Sequence, residues 1–484
     1  MKTVMIKACA LFSIIGVSML VVQCSSAEKE DEETTKDTTE QQPKEAPKAA
    51  AIPKMQDRKA IIGSPEELNQ LLDIYDNSRL ALEANPNDIE ARLRMAEVFI
   101  QEARLTGDFG YNYTTALGLL EDVIKASGEN KDALFQALTH KATIKLSQHQ
   151  FKAALRIGKD AVAINGHNSG VYGVLVDANV ELGNYQEAVK MSDKMVNIRP
   201  DLRSYSRISY LREIHGENEG AIEAMKLAVS AGYPGFEETS WCRVMLGGLH
   251  EKAGDLTNAA MQYQLALQER ENYPYALAAM GRIEMKKTNY EEAEKLISKA
   301  ITYMPNAGFY ADLSKTQQLN GNAEGAAENL KLAFATLRGD GADHHHDNGH
   351  SHGEGDHHSN GHTHGHGHSH EVGLEMAKMY LEFTEVFDKA LTNALHEYDI
   401  RPENVEVNQV LAGIYFMKED YEKAAEHLRK AMATNAQNPQ LDCLGGLLKI
   451  KTGDEAEGKE LITKSFAADP YQTHFLAKDA KSYL

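Results

Sequence analysis

Tryptophan occurs once and cysteine four times in this chain of 484 residues, and basic residues number 51 against 71 acidic ones. The resulting net charge of −20 argues against a general nucleic-acid binder, because phosphate contacts need a basic surface. Long apolar runs are missing except for 8–22, which is too short to span a bilayer comfortably. No P-loop, dinucleotide fingerprint, HExxH pair or strand–GxSxG–helix context is present. His140, His149, His167, His215, His250, His396, His427 and His474 are scattered and form no catalytic set. The chain is therefore expected not to be an enzyme and to require no cofactor.

The first residues have the pattern of an export signal. Lys2 and Lys7 precede the apolar run, which ends in Val21-Val22-Gln23-Cys24 followed by Ser25-Ser26. This resembles a bacterial lipoprotein signal, in which the cysteine becomes the lipidated first residue; Gln23 departs from the small residue usual at its position. The resemblance implies that 1–23 is a signal peptide and that Cys24 carries acyl chains such as palmitate. Such chains anchor a protein without a transmembrane helix. It also implies the bacterial cell envelope, at the periplasmic face or the surface of the outer membrane. An ordinary secretory signal and a retained anchor are the alternatives. Residues 24–62 lack apolar periodicity and predict a disordered, lipid-anchored tether. Their acidic run 28–33 resembles a surface-export signal, and also fits a solubilising charge run.

The remainder is organised around 274–305, which predicts two short amphipathic helices joined at Lys287-Thr288-Asn289. Gly281, Ala293 and Ala300 supply small residues where the helices meet, and Pro305 stops the second helix. The same spacing recurs at Ala142, Ala154 and Ala161, at Gly247, Ala259 and Ala266, and at Ala412, Ala424 and Ala431. Gly446 and Gly458 keep its first interval. Turn signals recur at Gly183-Asn184, Gly216-Glu217, Gly254-Asp255, Gly321-Asn322 and Gly453-Asp454. A hairpin this small cannot bury its own apolar stripe and needs stacked neighbours. The pattern resembles the tetratricopeptide repeat (TPR), a helix–turn–helix unit of about 34 residues. The usual tryptophan of the first helix is missing; Leu138, Tyr172, Tyr205 and Leu277 stand near its place.

The expected fold is thus an all-α solenoid of eight or nine TPR-like hairpins, over 63–338 and 372–484. Ser64-Pro65-Glu66-Glu67 predicts its first helix start, with Ser64 as cap and Glu67 closing a capping box. A longer turn is expected around Gly107 to Tyr113, and one extended helix from Glu371 to about Tyr398. Repeats in such an array touch only their neighbours. A bridge between Cys242 and Cys443 would need Cα atoms within about 7 Å, so two buried free thiols are expected.

The resemblance implies that the first helices line a concave face that grips a protein or peptide partner. Tyr210, Trp241, Tyr275, Arg282 and Lys315 are the candidates for that face, tyrosine, tryptophan and arginine being favoured binding anchors. Ordinary packing between repeats is the competing explanation for each. No lysine–asparagine set like the carboxylate clamp of chaperone-binding relatives is seen.

The repeat pattern breaks over 339–371, a stretch dense in histidine, glycine and acid and devoid of large apolar residues, which predicts a flexible loop. Imidazole suits zinc, copper, nickel and cobalt. The candidate ligands are His344, His345, His346, His350, His352, His357, His358, His362, His364, His366, His368 and His370, with Asp343, Asp347, Glu354 and Asp356 as possible oxygen donors. With so many interchangeable sets, several weak, exchangeable sites for divalent metal ions are expected rather than one fixed zinc site. A pH-sensitive charge tract or a polar insert without a role remain open.

Overall fold

The structure is a computed structural model and describes residues 52–58, 62–339 and 372–484. The leader, Cys24, most of the proposed tether and all twelve candidate metal-binding histidines lie outside the described residues. Among the described residues there are 22 helices and no strand, all within one compact unit, 51–484.

A lone helix, α1 (Pro65–Ala84), leads ten hairpins. The first five are α2 (Ile89–Thr106) with α3 (Phe109–Ala126), α4 (Lys131–Ser147) with α5 (Phe151–Ile164), α6 (Ser169–Glu181) with α7 (Tyr185–Ile198), α8 (Leu202–Ile214) with α9 (Asn218–Ala231), and α10 (Glu237–Lys252) with α11 (Leu256–Glu269). The second five are α12 (Pro274–Lys286) with α13 (Tyr290–Tyr303), α14 (Ala307–Leu319) with α15 (Ala323–Arg338), α16 (Gly373–Phe383) with α17 (Phe387–Ile400), α18 (Val405–Met417) with α19 (Tyr421–Ala431), and α20 (Pro439–Lys451) with α21 (Glu455–Ala468). A short α22 (Ala477–Lys481) ends the chain. Each hairpin packs its two helices together and lies against the next. This is an all-α solenoid of TPR-like repeats.

The recurrent small residues are what permit that packing. Ala142, Ala154, Ala161, Ala259, Ala266, Ala293, Ala300, Ala412 and Ala424 are fully buried. A side chain at Gly281 would overlap Ile297 of the facing helix, and one at Gly247 would overlap the Tyr263 ring. Backbones this close leave room for dispersion contacts and none for a methyl group. The hairpin turns need a left-handed residue just after the first helix. Six carry glycine there (Gly107, Gly183, Gly216, Gly254, Gly321 and Gly453), His149, Thr288 and Glu419 take the same conformation at φ of 56°, 64° and 60°, and only the turn of the eighth hairpin lacks it.

Several local expectations are corrected. The apolar pattern from Glu371 to Tyr398 is not one helix but the eighth hairpin, which brings the total to ten. Its turn is made by Thr384, which is extended and accepts the Val386 N–H on its Oγ1 at 3.1 Å. Because the apolar spacing runs on across this break, periodicity alone hides it. The turn expected at 107–113 is only Gly107 and Asp108; Tyr111 and Tyr113 already belong to α3, and Tyr113 is buried. Ser64 does cap α1 through the Glu67 N–H, but no capping box forms, because the Glu67 carboxylate pairs with Arg270. Packing also starts before Ser64. Ile52 and Met55 lie on the core around Phe99, Tyr75 and Tyr111 donate to the Pro53 and Lys54 carbonyls at 3.0 and 2.6 Å, and Arg58 pairs with Glu102 at 2.7 Å.

The largest correction concerns neighbours. Repeats here touch more than the next repeat. The turn of the first hairpin, at Gly107, meets Met304 in the loop after the sixth. In the third hairpin, Glu181 pairs with Arg401 and its carbonyl accepts from Asn404 Nδ2 at 3.0 Å, both in the loop after the eighth, and Tyr185 Oη accepts the N–H of Val405, which opens α18, at 2.8 Å. Gly216 of the fourth abuts the Asn435 carbonyl after the ninth, and Gly254 of the fifth abuts the Ala468 carbonyl that ends α21 and Pro470 just after it. The rule is regular: each turn meets the loop that follows the hairpin five places further on. A seam thus joins the first five hairpins to the second five. The second hairpin obeys the rule as well, since His149 in its turn shares a cavity of about 100 Å³ with Val372, which follows the seventh. In the sequence the histidine stretch falls between Gly339 and Val372, outside the described residues.

Candidate functional site

The residues assigned to the partner face all lie on first helices, and the structure brings two of the five, Trp241 and Tyr275, into contact with each other, while Arg282 and Lys315 pair with carboxylates of neighbouring helices. The rings of Trp241 on α10 and Tyr275 on α12 meet edge to face, with centroids 5.1 Å apart. Tyr275 in turn meets Phe309 on α14 at 5.7 Å. Edge-to-face geometry suits the ring quadrupoles and holds the run rigid. Phe309 was missed by sequence reasoning, although a signal was present: Trp241, Tyr275 and Phe309 are spaced by 34 residues, the repeat period. Trp241 remains 38% exposed at one end of the run, and Phe309 is buried at the other.

Charged residues on neighbouring first helices pair with one another. Arg207 on α8 grips Asp177 on α6 with two hydrogen bonds, at 2.6 and 2.9 Å. Arg282 spans Glu251 on α10 and Asp312 on α14, at 3.6 and 3.4 Å. Lys315 on α14 reaches Glu382 on α16 at 2.8 Å and lies over the Phe383 ring. Lys378 on α16 pairs with Glu406 on α18. Burial pushes the Asp312 carboxyl up against the pull of Arg282. Glu251 is buried too, but Arg282, Lys286 and the Tyr263 hydroxyl hold its carboxyl below the ordinary range. The face therefore presents a neutralised ladder of charges rather than a cluster of free cations, so Arg282 and Lys315 are committed to their neighbours. Tyr210 on α8 stands apart from the aromatic run and is 42% exposed.

A cleft of about 330 Å³ opens on the first helices of the last three hairpins. Met379, Leu381, Val410, Leu441 and Leu444 form its apolar floor, and Lys378, Glu382, Glu406, Gln409 and Gln440 its rim. One wall is the chain's own C-terminal stretch, Phe475 and Leu476. The Phe475 N–H donates to Glu382 at 3.1 Å. A side chain at Gly413 would press on Leu381 and Phe475, so glycine lets the wall close in there. Burial and the Lys315 charge lower His474 to about 4, and its Nδ1 accepts the Leu476 N–H at 3.3 Å, as a neutral imidazole can. Nothing in the sequence pattern marked Phe475, since it lies outside the repeats.

Cys242 and Cys443 are buried and free, as expected. Burial and nearby acidic charge push each thiol up to about 12, so neither is a poised nucleophile. Among the described residues no group of three or more His, Cys, Asp or Glu could hold a metal ion. No helix among them is long and apolar enough to cross a membrane.

No protein-family model matches the chain, and no curated protein matches it. Solved structures do. A tetratricopeptide repeat protein from Parabacteroides merdae is 14% identical, covering 66% of this chain and 99% of its own, with a TM-score of 0.34. A thermophilic TPR protein from Thermus thermophilus is 24% identical over 40% of this chain and 96% of its own, at a TM-score of 0.34. PilF of Pseudomonas aeruginosa is 16% identical over 43% and 94%, at 0.36. With TM-scores this low the likenesses carry no functional weight, and the repeat class rests on this chain's own helix pairing and small-residue packing.

Proposed function

We propose that this chain is a protein-binding scaffold whose partner docks on the face made by the first helices. The carrying observation is the aromatic run Trp241–Tyr275–Phe309, set at the repeat period and open to solvent at Trp241. Aromatic side chains held rigid by one another lose little entropy on binding, which makes them effective anchors. The paired ladder around Arg282 and Lys315 sets the orientation of a partner without attracting bulk charge. The resemblance of the leader to a lipoprotein signal supports tethering through Cys24 to the bacterial envelope, with the partner a protein or peptide of the same compartment.

The test is crosslinked capture of partners from native envelopes with the natural chain and with Trp241→Ala. A partner recovered by the first and reduced at least tenfold by the second supports the reading. Equal recovery by both removes Trp241, and with it the aromatic run, from the binding face. Because Trp241 is the single tryptophan, its emission also reports docking directly. Tethering is checked separately: Cys24→Ala should release the chain from the membrane fraction.

The second reading is capture or buffering of divalent metal by the histidine stretch. Twelve imidazoles between 344 and 370 favour it. Zinc titration of the full chain against a deletion of 343–370 decides it, since the deleted chain should lose most of the bound zinc. Binding should weaken as pH falls through about 6.5, where imidazole protonates.

A further inference from the structure

The first helices of the eighth, ninth and tenth hairpins already hold one stretch of polypeptide, the chain's own. After α21 the backbone turns back across α20 and reaches α16, where Glu382 accepts the Phe475 N–H and Lys315 completes the contact on the other carboxylate oxygen. This face therefore accepts a backbone amide and an aromatic side chain in its present form. Beside Phe475 the cleft of about 330 Å³ remains, at the lower end of the roughly 300–1,000 Å³ typical of ligand pockets.

The chemistry of the rim limits what can enter. Lys378 is spent on Glu375 and Glu406, and Glu382 on Lys315 and Phe475. No rim cation is left to neutralise an anionic ligand, and burying one unpaired would be costly. What remains is amide: the Gln409 side chain donates to Gln440 Oε1 at 3.2 Å and accepts from Asn438 Nδ2 at 3.1 Å. A carboxamide donates and accepts at once, which suits a peptide backbone. The floor is aliphatic. The described helices do not fill the cleft, and neither 25–51 nor 340–371 contains an apolar side chain larger than proline or alanine.

We propose that this cleft is the anchor pocket for an extended segment of a partner protein, which lays one bulky uncharged side chain (leucine, methionine or phenylalanine) beside Phe475 and runs its backbone along Gln409 and Gln440. The proposal rests on the protein-binding reading above and specifies its C-terminal subsite. Because the whole chain carries −20, basic residues flanking the anchor speed encounter, while the apolar anchor sets the dissociation rate.

The test uses the full chain and a random twelve-residue peptide library displayed on phage. Selected peptides are synthesised and titrated against the natural chain, Gln409→Trp, Gln440→Trp and Trp241→Ala. Both glutamines are partly exposed, so the two rim variants cover the cleft mouth without entering the core, and each is checked for an unchanged melting curve. If one of them misfolds, the other decides. The expected result is a shared apolar anchor, whose change to alanine weakens binding at least tenfold, and at least tenfold loss with the rim variants. Peptides weakened by Trp241→Ala but indifferent to both rim variants overturn the pocket and leave the partner face standing. Selection of no peptide, or a concentration-dependent dimer abolished by Gln409→Trp, also overturns it. The first outcome leaves the partner face to the envelope capture, and the second assigns the cleft to another copy of the chain.

Discussion

Arg270 donates to the carboxylate of Glu67, 203 residues before it, at 2.8 Å, and both side chains are withdrawn from water. The guanidinium also donates to the Gly235 carbonyl at 3.0 Å and lies over the Tyr273 ring. Arg401 is its counterpart further along. Each is the residue that ends the second helix of a hairpin, and each reaches an earlier glutamate, Arg401 taking Glu181 while keeping Glu397 at 2.9 Å.

Removing one member of the Glu67–Arg270 pair strands a buried charge. Arg270→Ala should lower stability by about 3–5 kcal/mol, whereas replacing both residues by methionine should cost far less. Urea unfolding of the single and double variants measures this. A single variant within about 1 kcal/mol of the natural chain, on the same scale, would show that the pair only decorates the contact.

The seam's contribution can be isolated with glycines. Gly216 and Gly321 share a left-handed φ, 77° and 83°, so alanine strains both alike, by about 1–2 kcal/mol. Only at Gly216 would the new methyl overlap a carbonyl across the seam; at Gly321 it meets nothing. Gly216→Ala should therefore be the less stable by a further ~1–3 kcal/mol. Equal melting temperatures would mean that the seam yields without cost.

Glu181 makes the seam sensitive to pH. Burial raises its carboxyl to about 7 from an ordinary 4.5, Arg401 pulls it down, and Glu406 and Asp177 add to the rise. A carboxyl raised on folding favours the folded state fully below its ordinary value, and that contribution is lost as pH climbs through its folded value. The natural chain should thus lose stability relative to Glu181→Gln between pH 4.5 and 7. Melting the two proteins side by side across this range is the check, and a constant gap would exclude Glu181 as the titrating group.

The buried thiols report on cooperativity. Cys242 lies in the fifth hairpin and Cys443 in the tenth, and both should resist a maleimide while the chain is folded. If the seam couples the two halves, they should become reactive at the same urea concentration. Earlier labelling of Cys443 would mean that the C-terminal hairpins open by themselves, as repeats do when only neighbours matter.

What could be seen in the sequence was local. The recurring small residues and turn glycines specify the hairpin, because each acts within one unit, and even Phe309 could have been found by stepping 34 residues from Tyr275. The break at Thr384 could not, because an extended threonine between two apolar stretches leaves the period intact. The seam was equally hidden. Glu181, Glu67 and Arg401 look like ordinary surface charges until the path of the chain brings hairpins five places apart together. Glu67 shows the conflict plainly: a capping position predicted its use, and a distant arginine took it. The cleft escaped notice for the same reason, since its wall at Phe475 comes from beyond the last hairpin.

The five-place rule also fixes how this protein can vary. In an open array a repeat can be gained or lost and every surviving neighbour contact is kept. Here, losing one hairpin between Glu181 and Arg401 would carry the arginine past its glutamate and misplace every later contact in step. The number of repeats is thus held like the number of teeth on a gear, and a change of length is tolerated only where it leaves that count intact.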